Sequence, residues 1–223
     1  MLFSRFFEAL RTAGPKLLSD QIVIAVNSNG VYFVDEMEQV LAELTYAEIA
    51  KTYAESDVGS NTDILHIDTV QKENFTFKCY EANDVHELIE FMCKNLKLKS
   101  KYVVAMEDFK PDEQLLETKK CLFLLRGDLL QLDSGITGKH ILEANNQQWF
   151  TGICNSEKGE FPAKAVMVLA CLSKPSARLI QIYKDFSCEA PQKPLRSKYN
   201  TIQRQKMHNL KKFAEEHFRA HLR

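Results

Sequence analysis

Gly135-Ile136-Thr137-Gly138-Lys139 has the residue types of a phosphate cradle: glycines that let backbone amides approach an anion, and a lysine to pair with it. Its spacing denies that chemistry. A P-loop needs four residues between its glycines and a Ser or Thr after the lysine, whereas two residues separate these glycines and His140 follows Lys139. His217 and His221 stand four apart on a predicted helix, where they would share a metal, but no H-E-x-x-H arrangement or third ligand accompanies them. They read as a solvated helix face. The six cysteines, Cys79, Cys93, Cys121, Cys154, Cys171 and Cys188, are scattered, with no C-x-x-C pair and no zinc spacing. Reduced and mostly buried thiols are expected, not a disulfide frame. No Ser-His-Asp set and no paired carboxylates can be assembled, so the chain is expected to be no enzyme and to hold no cofactor or metal.

Flat rings and prolines do a different kind of chemistry, the docking of extended peptides. Trp149-Phe150-Thr151-Gly152 is followed by Phe161-Pro162 within Gly159-Glu160-Phe161-Pro162-Ala163-Lys164-Ala165-Val166. Upstream lie Val104-Ala105-Met106-Glu107-Asp108-Phe109 and Leu122-Phe123-Leu124-Leu125-Arg126-Gly127-Asp128. In that order these four signals resemble an SH3 barrel, the first of the upstream pair standing where such domains carry Ala-Leu-Tyr-Asp-Tyr. Carried over position by position, the resemblance implies a peptide groove at Glu107, Phe109, Trp149, Pro162 and Ala165. Phe109, Trp149 and Pro162 keep the needed character. Glu107 and Ala165 replace two rings with a carboxylate and a methyl, so ordinary PxxP binding is expected to be weak or missing, and Trp149 and Phe161 are as well explained by packing.

Ahead of the barrel lies a segment of strands closed by a helix. Gln21–Val26 and Val31–Asp35 are β-rich apolar runs around an Asn27-Ser28-Asn29-Gly30 turn, the pattern of a hairpin. Further strands are expected at Val40–Leu44, Asp63–Val70 and Phe75–Tyr80. Asn83-Asp84 would cap a helix over Val85–Leu98, in which Val85, Leu88, Ile89, Phe91, Met92 and Leu96 fall at helical spacing. Antiparallel strands closed by one C-terminal amphipathic helix are what a pleckstrin-homology-like sandwich requires. The fold class expected is therefore mainly β with one major helix.

The segments Ser4–Ala9, Gly14-Pro15, Ile24–Asn27, Gly30–Glu36, Glu38–Leu41 and Ser100–Ala105 resemble the third lobe of a FERM domain running into an SH3 domain, as in the tail of a class VII unconventional myosin. Leu210–Arg219 is similar to the opening of a MyTH4 domain, which follows in such tails; class XV myosins share a related layout. The resemblance implies a FERM third lobe at 1–98, an SH3 domain at 101–170, a basic Pro-containing linker at 171–205, and an incomplete MyTH4 start at 206–223. A whole myosin would add a motor, calmodulin-binding helices and earlier MyTH4 and FERM lobes, so the chain is expected to be a fragment without ATPase activity.

The resemblance implies a cargo-binding part of an actin-based motor tail, or alternatively a regulatory, autoinhibitory or structural tail module. Cargo or adaptor proteins, and the motor and MyTH4-FERM lobes of the same myosin, would be partners, with actin reached only through the motor. By analogy with related lobes, a ligand groove is expected between the Phe75–Tyr80 strand and the helix, involving Phe77, Lys78 and His86. Pro191-Gln192-Lys193-Pro194-Leu195-Arg196 fits PxxPxR, so Pro191, Pro194 and Arg196 form a candidate internal ligand, with Asp112, Glu113 and Glu117 offered to the arginine and a plain linker as the favoured outcome.

Charge and hydropathy exclude other classes. Residues 1–170 carry 17 Lys and Arg against 26 Asp and Glu, and residues 171–223 carry 12 against 4, which leaves the whole at −1. The basic end has no repeated aromatic stacking pattern, so no nucleic acid is expected as a partner. Lys94, Lys97, Lys99 and Lys101 offset the dipole at the predicted helix end. No apolar run approaches the ~18 residues of a membrane span, and Met1–Glu8 lacks a signal-peptide core, so a cytoplasmic protein is expected; the myosin resemblance implies that it is cytoskeleton-associated.

Overall fold

A computed structural model describes residues 4–56, 62–111, 120–145 and 147–187. Within Met1–Cys188 these residues form one compact unit built on two antiparallel sheets. The first sheet takes strands β1 (Arg5–Ala13), β2 (Gln21–Val26), β3 (Val31–Val34), β4 (Val40–Leu44), β5 (Ile49–Ser56), β6 (Asp63–Thr69) and β7 (Asn74–Cys79) in the order β4-β3-β2-β1-β7-β6-β5. Helix α1 (Ala82–Lys99) follows β7. This is the pleckstrin-homology-like arrangement that the sequence pattern predicts.

The hairpin between β2 and β3 forms where the apolar runs meet the Asn/Gly turn: the Asn27 carboxamide oxygen accepts from the amides of Asn29 at 2.8 Å and Gly30 at 3.3 Å. Period-two alternation then buries Ile22, Ile24, Phe33, Leu65, Ile67, Phe75 and Phe77 in one core. Phe33 packs its ring against both Phe75 and Phe77, with centroids 5.1 and 4.9 Å apart. Over this core α1 lays Ala82, Val85, Ile89 and Cys93. The helix starts three residues ahead of the expected span and uses no side-chain cap. Asn83 instead donates to the Asp63 carboxylate at 3.3 Å, which ties the helix start to β6.

The second sheet takes β8 (Tyr102–Ala105), β9 (Leu129–Leu132), β10 (Trp149–Cys154), β11 (Glu157–Pro162) and β12 (Val166–Val168), in the order β11-β10-β9-β8-β12, with one 3-10 turn at Ala163–Ala165. The stretch around Leu122–Leu125, one of the four signals of the barrel resemblance, pairs only through isolated bridges, Phe109 with Leu124 and Cys121 with Glu160. Its own core holds Val103, Leu124, Leu130, Leu132, Phe161 and Val168. A short helix, α2 (Gly138–Leu142), occupies the place of the phosphate-cradle look-alike. Its use is steric: the Gly138 amide donates to the Ser100 carbonyl at 2.7 Å, and a Cβ there would lie 2.0 Å from the Lys97 carbonyl oxygen.

Within the span expected as linker, Ala177–Ser187 is an amphipathic helix, α3. Leu179 and Tyr183 pack with Ala47 of the first sheet's connections, Val104 of β8 and Leu169, so this third cluster joins both sheets. The Tyr183 hydroxyl donates to the Ala47 carbonyl at 2.7 Å, Arg178 pairs with Glu48 at 3.5 Å, and Lys184 reaches Asp128 at 3.6 Å. Nothing in the linker reading anticipated this helix.

Candidate functional site

A sheet that accepts a peptide must offer an unpaired strand edge. β7 has none. It pairs β1 on one side and β6 on the other, and Phe77 is fully buried. The expected groove beside Phe75–Tyr80 is therefore displaced, because the strand next to the helix in sequence is interior in the sheet. Phe77, Lys78 and His86 do not converge: Phe77 faces the core, Lys78 lines a shallow hollow of about 470 Å3 with Leu10 and Tyr80, and His86 sits on α1 facing β5.

β5 is the strand left with an open edge beside the helix, since it pairs only β6. Its residues carry little local sign of a strand: Ala50-Lys51-Thr52-Tyr53-Ala54-Glu55 lacks apolar alternation, and within it only Thr52 and Tyr53 carry strand preference. Thr52 holds the helix to the edge. Its hydroxyl stands 2.8 Å from His86 Nδ1 and donates to Glu90 Oε1 at 3.2 Å, which leaves Nδ1 as the donor in the first contact. On the other face of β5, Tyr53 stacks on His66 with centroids 4.4 Å apart, and Lys51 Nζ lies 4.7 Å from the Tyr53 ring centre. A bulge at Ala50, between the Ile49 and Lys51 pairings, turns the start of the strand.

In the second sheet the three retained groove residues do come together. Phe109 and Trp149 meet edge to face at 5.7 Å, and Trp149 pairs with Pro162 across β10 and β11. Ala165 is fully buried, with its carbonyl accepting the Met106 amide at 2.8 Å, so the position of the lost ring is occupied by packing. Glu107 is exposed. One aromatic corner is left, where a two-pocket groove would need further rings. Pro191, Pro194, Arg196, Asp112, Glu113, Glu117, His217 and His221 lie outside the described residues.

Cys79, Cys93 and Cys154 are buried and free, and burial pushes the Cys93 and Cys154 thiols up to about 11. Among the described residues no group of His, Cys, Asp and Glu has the arrangement of a metal site, and no helix is long and apolar enough to cross a membrane.

Comparison with known proteins agrees with this geometry. A family model described as Myosin-X FERM PH domain-like matches residues 3–99. Myosin-VIIa of Drosophila melanogaster is 34% identical over 223 residues, covering 98% of this chain and 10% of that protein. Unconventional myosin heavy chain 6 of Caenorhabditis elegans is 37% identical over 191 residues, 82% of this chain and 8% of its own length. Unconventional myosin-VIIb of Mus musculus is 31% identical over 186 residues, again 82% and 8%. The chain spans about a tenth of these relatives, in their FERM-bearing tail and not their motor, so this stretch is non-catalytic. It belongs to the tails of the class VII unconventional myosins, with a FERM PH-like lobe at its start.

Proposed function

We propose that this stretch of myosin tail binds cargo or adaptor proteins, and that it does so by adding an extended peptide to β5 beside α1. The open β5 edge walled by the helix carries this reading. Main-chain hydrogen bonds to the strand would supply affinity, and side chains alternating toward α1 would be read by His86, Glu90 and the flank of the helix beside β5. β4, the other edge, is shorter, five residues against eight.

The second sheet is read as an SH3 barrel that serves as a structural spacer. The specific observation is its fixation: α2 abuts the end of α1, α3 bridges both sheets, and only one aromatic corner of the groove is kept. The remaining tail lobes and the motor are proposed as further partners, with actin reached through the motor alone, in a cytoplasmic, cytoskeleton-associated setting.

The test uses the full 223-residue chain and peptides selected on it from a random dodecamer library. Binders are expected to shift the amide resonances of Ile49–Ser56 and of the α1 face from His86 to Cys93. N-methylation at alternate peptide residues, which removes amide donors without touching the protein, is expected to weaken binding by tenfold or more. Shifts confined to β4 or to the Phe109 and Trp149 corner would overturn the β5 reading.

A further inference from the structure

The start of β5 opens into a cleft of about 260 Å3 between the two sheets. Tyr46, Ala50 and Val70 line it from the first sheet's side, Met106 and Met167 from the second, and Tyr183 of α3 closes the back. Its only charged lining residues are both cations, one from each side: Lys97 in the last turn of α1 and Arg126 in the turn before β9. Neither side chain makes an ion pair or hydrogen bond with another described residue.

That charge runs against its surroundings, because residues 1–170 hold 26 acids to 17 bases. Two cations lining an apolar cleft, without an ion-pair partner among the described residues, give it a positive rim that an acidic occupant complements. The two methionines make its wall adaptable to more than one apolar shape. The chain's own continuation is a poor occupant on electrostatic grounds: residues 189–223 carry 9 Lys and Arg against 3 Asp and Glu. A nucleic acid is disfavoured too, since two cations around an apolar hollow of this size cannot track a phosphate backbone.

We propose that this cleft between the sheets is a specificity pocket for an acidic peptide: it takes one aliphatic or aromatic side chain next to an Asp or Glu whose carboxylate pairs with Lys97 and Arg126. The proposal rests on the β5 reading for the direction of entry, because a strand added along β5 is led past Ala50 into the cleft. It gives a use to the contacts that join the two sheets. A pocket with one cation from each side exists only while their spacing is fixed.

The test again uses the full chain and dodecamers selected from the random library, labelled and titrated by fluorescence anisotropy. Enriched peptides are expected to share an apolar residue adjacent to Asp or Glu. Lys97→Glu and Arg126→Glu are each expected to weaken binding by about tenfold, the scale of one charge-assisted hydrogen bond, while Lys97→Arg keeps it; Arg126→Glu and Lys97→Arg unfold at the parent temperature, and Lys97→Glu, which also reverses a charge at the end of α1, unfolds below it. Peptides without an acid, or affinities within twofold after both reversals, would overturn the pocket. If N-methylation abolishes binding but the charge reversals do not, the β5 groove stands and the pocket fails. If the reversals abolish it and N-methylation does not, the pocket stands and strand addition fails. Binding to vesicles of three parts phosphatidylcholine to one of phosphatidylserine, lost on charge reversal and unaffected by the selected peptides, would assign the cations to a lipid surface and overturn the proposal.

Discussion

Thr52 shows how a single polar side chain fixes the candidate groove. It is buried at the strand edge, and its hydroxyl serves both His86 and Glu90, so the separation of β5 and α1 is set by two hydrogen bonds. Thr52→Val keeps the shape and removes both, and is expected to cost about 1–3 kcal/mol because His86 and Glu90 lose a partner at a part-buried site. Urea unfolding of the two proteins measures this. Cys93 gives a pH signature. Its thiol is raised from the ordinary 9.0 to about 11 by burial on the core-facing side of α1. The folded state then keeps a proton that the unfolded chain releases, so the contribution is complete below about pH 9 and is lost as pH rises through 11. Stability is expected to fall between pH 8 and pH 10.5 by more in the parent protein than in Cys93→Ala, in parallel urea titrations.

At the scale of elements, α3 is the clearest case of structure without a strong sequence sign. Ala177–Ser187 lies after Pro175 in a basic stretch, and its apolar residues Leu179, Ile182 and Tyr183 cover a surface that only the assembled sheets create. The strands of the hairpin, β6, β7 and α1 were legible because their apolar periodicity is local. β5 was not, because an edge strand with one open side needs few apolar residues and its partner is chosen by the fold. The same omission moved the candidate groove to β7: adjacency in sequence stood in for adjacency in the sheet. In the second sheet Phe109, Trp149 and Pro162 lie together, as the SH3 resemblance and not any local periodicity implied. Tyr183→Phe tests the helix as a bridge. It leaves the Ala47 carbonyl without the hydroxyl that it accepts in a buried setting, and is expected to cost about 1–2 kcal/mol. A chain ending at residue 172 is expected to lose more than this point change, because Val104 and Leu169 lose the apolar cover of Leu179 and Tyr183. Thermal unfolding of the three proteins checks the order.

For the molecule as a whole, the consequence is that the two sheets should unfold as one. Ser100, fully buried between α1 and β8, accepts the Gly138 amide through its carbonyl, and α3 pins both sheets from the other side. A junction of this kind transmits the loss of one core to the other, whereas units joined by a loose linker melt separately. Trp149, the single tryptophan, reports on the second sheet, and far-ultraviolet circular dichroism reports on α1 and the larger first sheet. In the parent chain the two signals are expected to share one denaturant midpoint. Gly138→Ala should separate them: the added Cβ would sit 2.0 Å from the Lys97 carbonyl oxygen and 2.6 Å from Val168, so the contact must open at a cost of at least ~2 kcal/mol. Either a split in the parent or coincident midpoints in Gly138→Ala at undiminished stability would show that the two sheets are merely neighbours, and the cleft between them would then have no fixed width with which to read a peptide.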